Sequence, residues 1–313
     1  MKLRVALFGQ AGFGVDTLER LRANGHAIAG VFAPPDGARP DPLAARALDL
    51  GLPLVRRMFY RKKTGEPIQA ALDEHRALGA DLNVLASVQV FLPRALTDAP
   101  KYKSLCFHPS LLPRFRGGAA LQWQIILGEP ETGVSIFVPD EGADTGAVVV
   151  QKGGVAISPR ETAATLFFEK LHPLGVEALV EAVELVASGR AKPEAQDESR
   201  ATHQGLVDDS VAAVRLDRPA AEIDRLVRGC DPQPGAFVRL AGKPLRLYDA
   251  ALGPAVSGTP GSVVELGEGG LVIALRGGSL RVRRVRAEAG KEAAEMFAAR
   301  VGLAPGARFE SGA

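Results

Sequence analysis

The sequence predicts a doubly wound α/β domain built on a mostly parallel sheet, followed by a smaller β-barrel domain. Three observations carry that expectation. Through the first half of the 313 residues, short apolar runs alternate with stretches of helical period, the pattern of strands joined by crossover helices. Between Gly189 and Asp209 the chain turns polar and loses its periodicity, which marks a linker. Beyond that point come short apolar runs split by Gly and Pro, as in all-β domains. The expected division is residues 1–190, a linker over 191–208 and a second domain over 209–313.

Residues 3–8 read as a buried strand, and residues 15–24 as a helix that Gly25 ends. A second strand over 27–32 stops at Pro34-Pro35, and a helix over 42–50 runs up to Gly51. Strands over 52–55, 82–86 and 104–108 flank a helix over 68–78. Residues 134–138 and 147–151 are strand candidates around a turn-rich segment, and residues 161–188 have the spacing of one long helix. After the linker, one helix over 220–228 precedes strands over 236–240, 245–248, 261–264, 271–274 and 280–285.

Composition narrows the function classes. A 46% hydrophobic and 24% charged chain is an ordinary globular one. A net charge of +2 is not that of a polycation built for nucleic acid, although a local basic patch stays open. Cys106 and Cys230 are the only cysteines, so a disulfide framework is not expected and a reducing compartment fits. The first apolar run is too short for a signal peptide or a membrane span, which predicts a soluble, cytoplasmic protein with no membrane partner. The five histidines are scattered and no Cys-x-x-Cys occurs, so no metal site is expected.

Three segments hold candidate chemistry. Gly9-Gln-Ala-Gly12-Phe-Gly14 follows the first strand, with Asp36 near the end of the second. That suits a dinucleotide turn, but the spacing is G-x-x-G-x-G, and a tight turn needing glycine for backbone reasons explains it as well. Cys106-Phe-His108-Pro-Ser110-Leu-Leu-Pro113-Arg-Phe-Arg116-Gly-Gly places His108 at the C-terminal end of a strand, where open α/β sheets keep their ligand sites. An imidazole there can exchange protons near neutral pH or support an oxyanion. Asp140-Glu-Gly-Ala-Asp144-Thr-Gly146 is an acidic loop between two strands, by spacing alone equally an ordinary turn.

Together these segments resemble the formyltransferase family that uses 10-formyltetrahydrofolate. The stretch His108-Pro-Ser-Leu-Leu-Pro113-Arg-Phe-Arg-Gly117 is similar to that family's His-x-Ser-Leu-Leu-Pro-x-x-Arg-Gly loop, and Ser135-Ile-Phe, Asp140 to Gly146 and Gln151-Lys152 to its second catalytic segment. Asp231-Pro-Gln-Pro-Gly-Ala-Phe237 and Ala304-Pro-Gly306 resemble the C-terminal domain of methionyl-tRNA formyltransferases. Asp41-Pro-Leu, Arg61-Lys-Lys-Thr-Gly-Glu-Pro67 and Ala77-Leu-Gly-Ala-Asp-Leu-Asn-Val-Leu85 are nearer the hydrolase domain of 10-formyltetrahydrofolate dehydrogenases. The resemblance implies a Rossmann-like catalytic domain and an OB-like C-terminal barrel, with 10-formyltetrahydrofolate as co-substrate. It implies catalysis by His108 and Asp144. It also implies a folate pocket lined by Val90, Phe91, Leu92, Ser110, Leu111, Leu112 and Pro113.

The chain departs from the family at position 106, where transferases typically carry Asn and this chain has Cys106. On an extended strand Cys106 shares a face with His108, either as a small apolar wall or as a nucleophile that takes the formyl group. The basic insertion that grips tRNA is shortened to Pro35-Asp-Gly-Ala-Arg-Pro40. Arg114 or Arg116 would face an anion or solvent, and Arg281-Val-Arg-Arg-Val-Arg286 reads as a phosphate-binding surface or a strand with one solvated face. The acceptor is therefore water, a small amine or, less securely, initiator tRNA. The segments of the dehydrogenases beyond their hydrolase domain are missing, so NADP-dependent oxidation is not expected. The alternatives are a nicotinamide-dependent oxidoreductase using Gly9 to Gly14, or a weakened paralogue that binds folate or RNA.

Overall fold

The computed structural model describes residues 1–312. Among these residues the chain runs β1 (Arg4–Gly9), α1 (Ala11–Ala23), β2 (Ala27–Ala33), α2 (Pro42–Asp49), β3 (Leu54–Arg56), α3 (Gln69–Leu78), β4 (Leu82–Ala86), α4 (Arg94–Thr97) and β5 (Ser104–His108). It continues through α5 (Ala120–Leu127), β6 (Glu131–Phe137), β7 (Val148–Ala156), α6 (Ala163–Thr165), a π-helical turn (Leu166–Leu171) and α7 (His172–Ala187). The remainder is α8 (Asp209–Ala212), α9 (Ala220–Gly229), β8 (Phe237–Leu240), β9 (Lys243–Gly253), β10 (Val263–Gly267), β11 (Gly270–Leu275), β12 (Gly278–Ala287), β13 (Gly290–Ala293) and α10 (Ala294–Val301).

Two compact units result. One is made of Met1–Gly118, Gly133–Val155 and Glu169–His203, and the other of Ala119–Thr132, Ala156–Phe168 and the chain from Gln204 onward.

The first unit carries the sheet ordered β3-β2-β1-β4-β5-β6-β7. Strands β1 to β5 pair in parallel, and β6 turns antiparallel to β5. The order reverses between β1 and β4, which opens a crevice at the C-terminal ends of those strands. Helices α1 and α2 pack together on one face, where α7 joins α1, and α3 with α4 on the other. Gly175 lets α7 press on β5, since a Cβ there would lie 2.4 Å from the Phe107 ring. On the opposite face Ala6, Phe8, Phe32, Tyr60, Ala71, Leu85 and Leu96 form one buried cluster. The Phe8 and Phe32 rings stack at 4.3 Å, which contributes about 0.5–1.5 kcal/mol beyond area burial.

Two departures from the sequence reading have local causes. The segment over 161–188 is not one regular helix. Thr162 caps α6 through a reciprocal capping box, and a π turn separates α6 from α7. Helix α5 escapes sequence reading because Ala120–Leu127 is apolar nearly all round and has no side-chain cap.

The second unit carries an antiparallel sheet in the order β10-β11-β12-β9-β8, with β13 pairing β12. Its buried core includes Val214, Ile223, Val227, Leu247, Leu271, Ile273, Val282 and Phe309. Arg281 pairs with Glu265, Arg283 with Asp249, and Arg286 donates to the Pro234 carbonyl. Along β12, Leu280, Val282 and Val285 are buried while Arg283 and Arg284 are exposed. Helix α9 packs on α5 at Gly229, where a Cβ would lie 2.6 Å from Ile126. The same helix buries Arg228, whose Nε donates to Asp224 at 2.8 Å and whose Nη1 donates to the Glu161 carbonyl at 2.9 Å. Arg228→Met would leave the Asp224 carboxylate buried and unpaired, a change that costs about 3–5 kcal/mol. Chemical denaturation should register that loss, and a loss no larger than a surface substitution's would contradict the assignment.

Candidate active site

Strand β5 delivers His108 to the C-terminal edge of the sheet, and the following loop folds back over the ring. His108 is 5% exposed, and its Nε2 donates to the Phe115 carbonyl at 2.7 Å. A carbonyl can only accept, so Nε2 carries the hydrogen and Nδ1 is left as an acceptor. Phe115 adopts a φ of 59°, which aims its carbonyl back at the ring. The Leu112–Pro113 peptide within the loop is cis.

Antiparallel pairing of β5 with β6 sets Ser135 directly opposite His108. The Ser135 hydroxyl donates to the Ser110 carbonyl at 2.7 Å and accepts from the Leu112 amide at 3.1 Å. Gln151 on β7 donates to both Ser135 Oγ and the Leu112 carbonyl at 2.9 Å. Ser110 Oγ donates to the Arg114 carbonyl at 2.7 Å. Ser110, Leu112 and Pro113 are buried, and Leu111 lies beside Gly133 and Gly153. These residues brace the loop with backbone and hydroxyl groups.

Asp144 comes from the loop between β6 and β7, with a φ of 58°. The close of that loop requires glycine, since a Cβ on Gly146 would lie 1.8 Å from the Val138 carbonyl oxygen. Asp144 Oδ2 accepts from the Gly117 amide at 2.7 Å and lies 3.5 Å from His108 Nδ1. Burial holds the His108 ring below the ordinary imidazole value of 6.5, opposed by the Asp144 carboxylate and the Phe115 hydrogen bond. The ring is therefore neutral at pH 7. Because its folded pKa is depressed, its contribution to stability is present above 6.5 and lost as pH falls through the lower folded value.

Cys106 shares the face of His108 and packs with Val90 and Leu92 against the Phe8, Leu85 and Leu96 cluster. Burial pushes its thiol well up, and the Asp144 carboxylate adds to the effect, so the sulfur is protonated at neutral pH. Phe91 is 52% exposed, with the Arg61 guanidinium 4.8 Å from its ring centre. A cavity of about 150 Å³ at the tips of β1, β2 and β4 is lined by Gly9, Gln10, Phe32, Tyr60, Ser87 and Val90, among others.

Arg114 and Arg116 have different surroundings. Arg114 is exposed, its guanidinium 5.1 Å from the Phe115 ring centre. Arg116 is 6% exposed and pairs with Glu198, so it faces neither solvent nor an open anion site. At the Gly9 turn, a Cβ on Gly9 would lie 2.4 Å from the Ala86 carbonyl oxygen. The Ala11 amide donates to Asp41 Oδ2 at 2.8 Å, and Asp36 pairs with Arg56. A carboxylate thus stands at the start of α1, where a dinucleotide phosphate would have to bind. Among the described residues no group of three or more His, Cys, Asp or Glu side chains is gathered to hold a metal, and no helix is long and apolar enough to cross a membrane.

The structure thus brings His108, Asp144, Cys106, Val90 and Leu92 to one end of the sheet. Sequence reading missed the bracing roles of Phe115, Ser135 and Gln151. A serine opposite His108 in a buried strand was the available signal for one of them.

Residues 1–183 match the family model described as formyl transferase, and residues 207–300 match formyl transferase, C-terminal domain. The chain is 38% identical over 252 residues to mitochondrial 10-formyltetrahydrofolate dehydrogenase of Mus musculus, covering 80% of this chain and 27% of that protein. It therefore spans under a third of those dehydrogenases. It is 33% identical over 312 residues to methionyl-tRNA formyltransferase of Geotalea uraniireducens, covering 97% of each. HypX from Aquifex aeolicus, solved in complex with tetrahydrofolic acid, superposes with a TM-score of 0.73 at 19% identity, over 95% of this chain and 47% of that one. WlaRD, a sugar 3N-formyl transferase, superposes with a TM-score of 0.65 at 18% identity, over 90% and 97%. At these identities the two structures establish the fold.

Ser135→Ala would leave the buried Ser110 carbonyl and Leu112 amide without their partner, a loss of about 1–3 kcal/mol. Urea denaturation measures it. A change within about 0.5 kcal/mol, typical of an inert surface substitution, would show that the hydroxyl does not brace the loop.

Proposed function

The chain belongs to the formyl transferase family, and on that premise we propose that it moves the formyl group of 10-formyltetrahydrofolate to an amine or to water, with His108 and Asp144 at the reacting carbon. The observation that carries this reading is the buried His108 ring, with Nε2 hydrogen-bonded to the Phe115 carbonyl and Nδ1 3.5 Å from Asp144 Oδ2.

The chemistry follows from that arrangement. The acceptor's oxygen or nitrogen attacks the formyl carbon, and its proton passes to His108 Nδ1. The imidazolium so formed faces the Asp144 carboxylate, which stabilises it. The protonated Nδ1 can then donate to the tetrahedral oxyanion or return the proton to N10 of the folate as the C–N bond breaks. A neutral ring whose only N–H is committed to Phe115 has no donor for an oxyanion before this transfer. Proton shuttling is therefore its first task.

The apolar side chains of Val90, Leu92 and Cys106 suit one face of a flat folate ring, and the backbone of residues 90–92 supplies hydrogen-bonding groups beside it. Ser110, Leu111, Leu112 and Pro113 contribute to that pocket by shaping the loop. On this reading catalysis belongs to residues 1–190, with residues 209–313 as a separate C-terminal domain, and the protein works in the cytoplasm. Cys106 acts as an apolar wall: a protonated thiol is a weak donor and a poor substitute for an amide. That favours water among the acceptors, ahead of a small amine such as an amino sugar and of initiator methionyl-tRNA.

Incubation with 10-formyltetrahydrofolate, with and without each acceptor, separates these cases through the yields of tetrahydrofolate and formate. Tight folate binding without turnover would support a weakened paralogue, and binding of a nicotinamide dinucleotide would revive the oxidoreductase. His108→Ala and Asp144→Asn should each lower turnover by about 10²–10³ while the protein stays folded. Full activity in either would overturn the assignment. Because His108 must be neutral to accept the proton, the acid limb of kcat/KM that belongs to it should lie below 6.5. A histidine limb above that value would count against the mechanism.

A further inference from the structure

The polar segment after α7 is laid across both site loops. Glu194 exchanges backbone hydrogen bonds with Val148, each 2.8 Å. Thr202 donates its amide to the Pro113 carbonyl at 3.1 Å, and its carbonyl and hydroxyl accept from the Arg116 and Phe115 amides at 2.9 and 2.8 Å. Between these anchors lies Gln196. Its Nε2 donates to the Asp144 carbonyl at 2.8 Å and to the Gly146 carbonyl at 2.7 Å. Its Oε1 accepts from Arg116 Nε at 3.1 Å and Nη2 at 2.8 Å.

Every hydrogen-bonding place of the amide is used, and the partners fix its orientation. Carbonyls only accept and a guanidinium only donates, so no other side chain of this size, including Glu, satisfies both sides. The contact is made at the backbone of Asp144 itself, where a left-handed φ of 58° must be held against its conformational cost. Its other end is Arg116, next in sequence to the Phe115 carbonyl that fixes His108.

We infer that Gln196 is a positioning residue for the formyl-transfer pair, locking the Asp144 loop to the His108 loop so that Oδ2 stays beside Nδ1. The inference rests on the reading of His108 and Asp144 as the reacting groups. Gln196 bonds the Asp144 backbone rather than its carboxylate, and acts through Asp144.

The test measures kcat, KM for 10-formyltetrahydrofolate and thermal stability for Gln196→Glu, Gln196→Ala, Asp144→Asn and the Gln196→Ala/Asp144→Asn double variant. Gln196→Glu keeps the shape and the Arg116 partner but sets carboxylate oxygen against two carbonyls. Misplacement of Asp144 should lower kcat by about 10- to 100-fold with KM little changed. In the Asp144→Asn background, Gln196→Ala should cause no further loss, since the group it positions is already gone. Two results would overturn the inference while Asp144→Asn is impaired: kcat held within about twofold in both single variants, or a Gln196→Ala loss that multiplies in full with that of Asp144→Asn. Full activity in Asp144→Asn would instead sink the underlying reading of the site. Should Gln196→Ala fail to fold, the isosteric Gln196→Glu and its double variant with Asp144→Asn carry the same comparison.

Discussion

One hydrogen, committed from His108 Nε2 to the Phe115 carbonyl at 2.7 Å, decides what the surrounding structure must do. It fixes the tautomer, leaves Nδ1 as the open nitrogen and holds the ring edge that Asp144 faces. Burial strips the ring of water and keeps it neutral. A neutral imidazole beside a carboxylate takes up a proton and is stabilised once it has done so. An exposed, charged histidine could not begin the proposed transfer.

That commitment demands a rigid loop, and the loop's rigidity comes from a satisfied polar network. The Phe115 carbonyl points at the ring only because the chain takes a left-handed φ there and Ser110 ties down the preceding turn. Ser135 holds Ser110 and Leu112 from the neighbouring strand because β6 runs antiparallel and brings it into register with His108. Buried networks of this kind tolerate no missing member, because each orphaned group carries its full desolvation cost. The antiparallel strand at the edge of an otherwise parallel sheet is thus part of the site's construction.

Much of this was legible in the residues, for uneven reasons. Strands over 82–86 and 104–108 were readable to their ends because compact apolar runs are bounded by breaking residues, and His108 followed from its place at a strand end. Asp144 was an ordinary acidic turn by spacing, and only the resemblance of its whole loop singled it out. Spacing could not decide whether Arg116 was solvated, because its partners Gln196 and Glu198 lie some eighty residues on. Residues 191–203 looked like a linker because they lack periodicity. Their contacts are backbone and side-chain hydrogen bonds to distant loops, which leave no repeating pattern in sequence. Glycines at 9 and 14 suggested a phosphate turn, whereas Gly9 answers to Ala86 and Gly14 to Leu43.

The proposed proton transfer depends on the state of the His108 ring, and nitrogen-resolved NMR of the imidazole across a pH titration reads it directly. The ring should be neutral with its hydrogen on Nε2 and titrate below 6.5, and its pKa should fall further when Asp144→Asn removes the carboxylate that raises it. A hydrogen on Nδ1, or a ring that remains charged above 6.5, would contradict the proposed transfer.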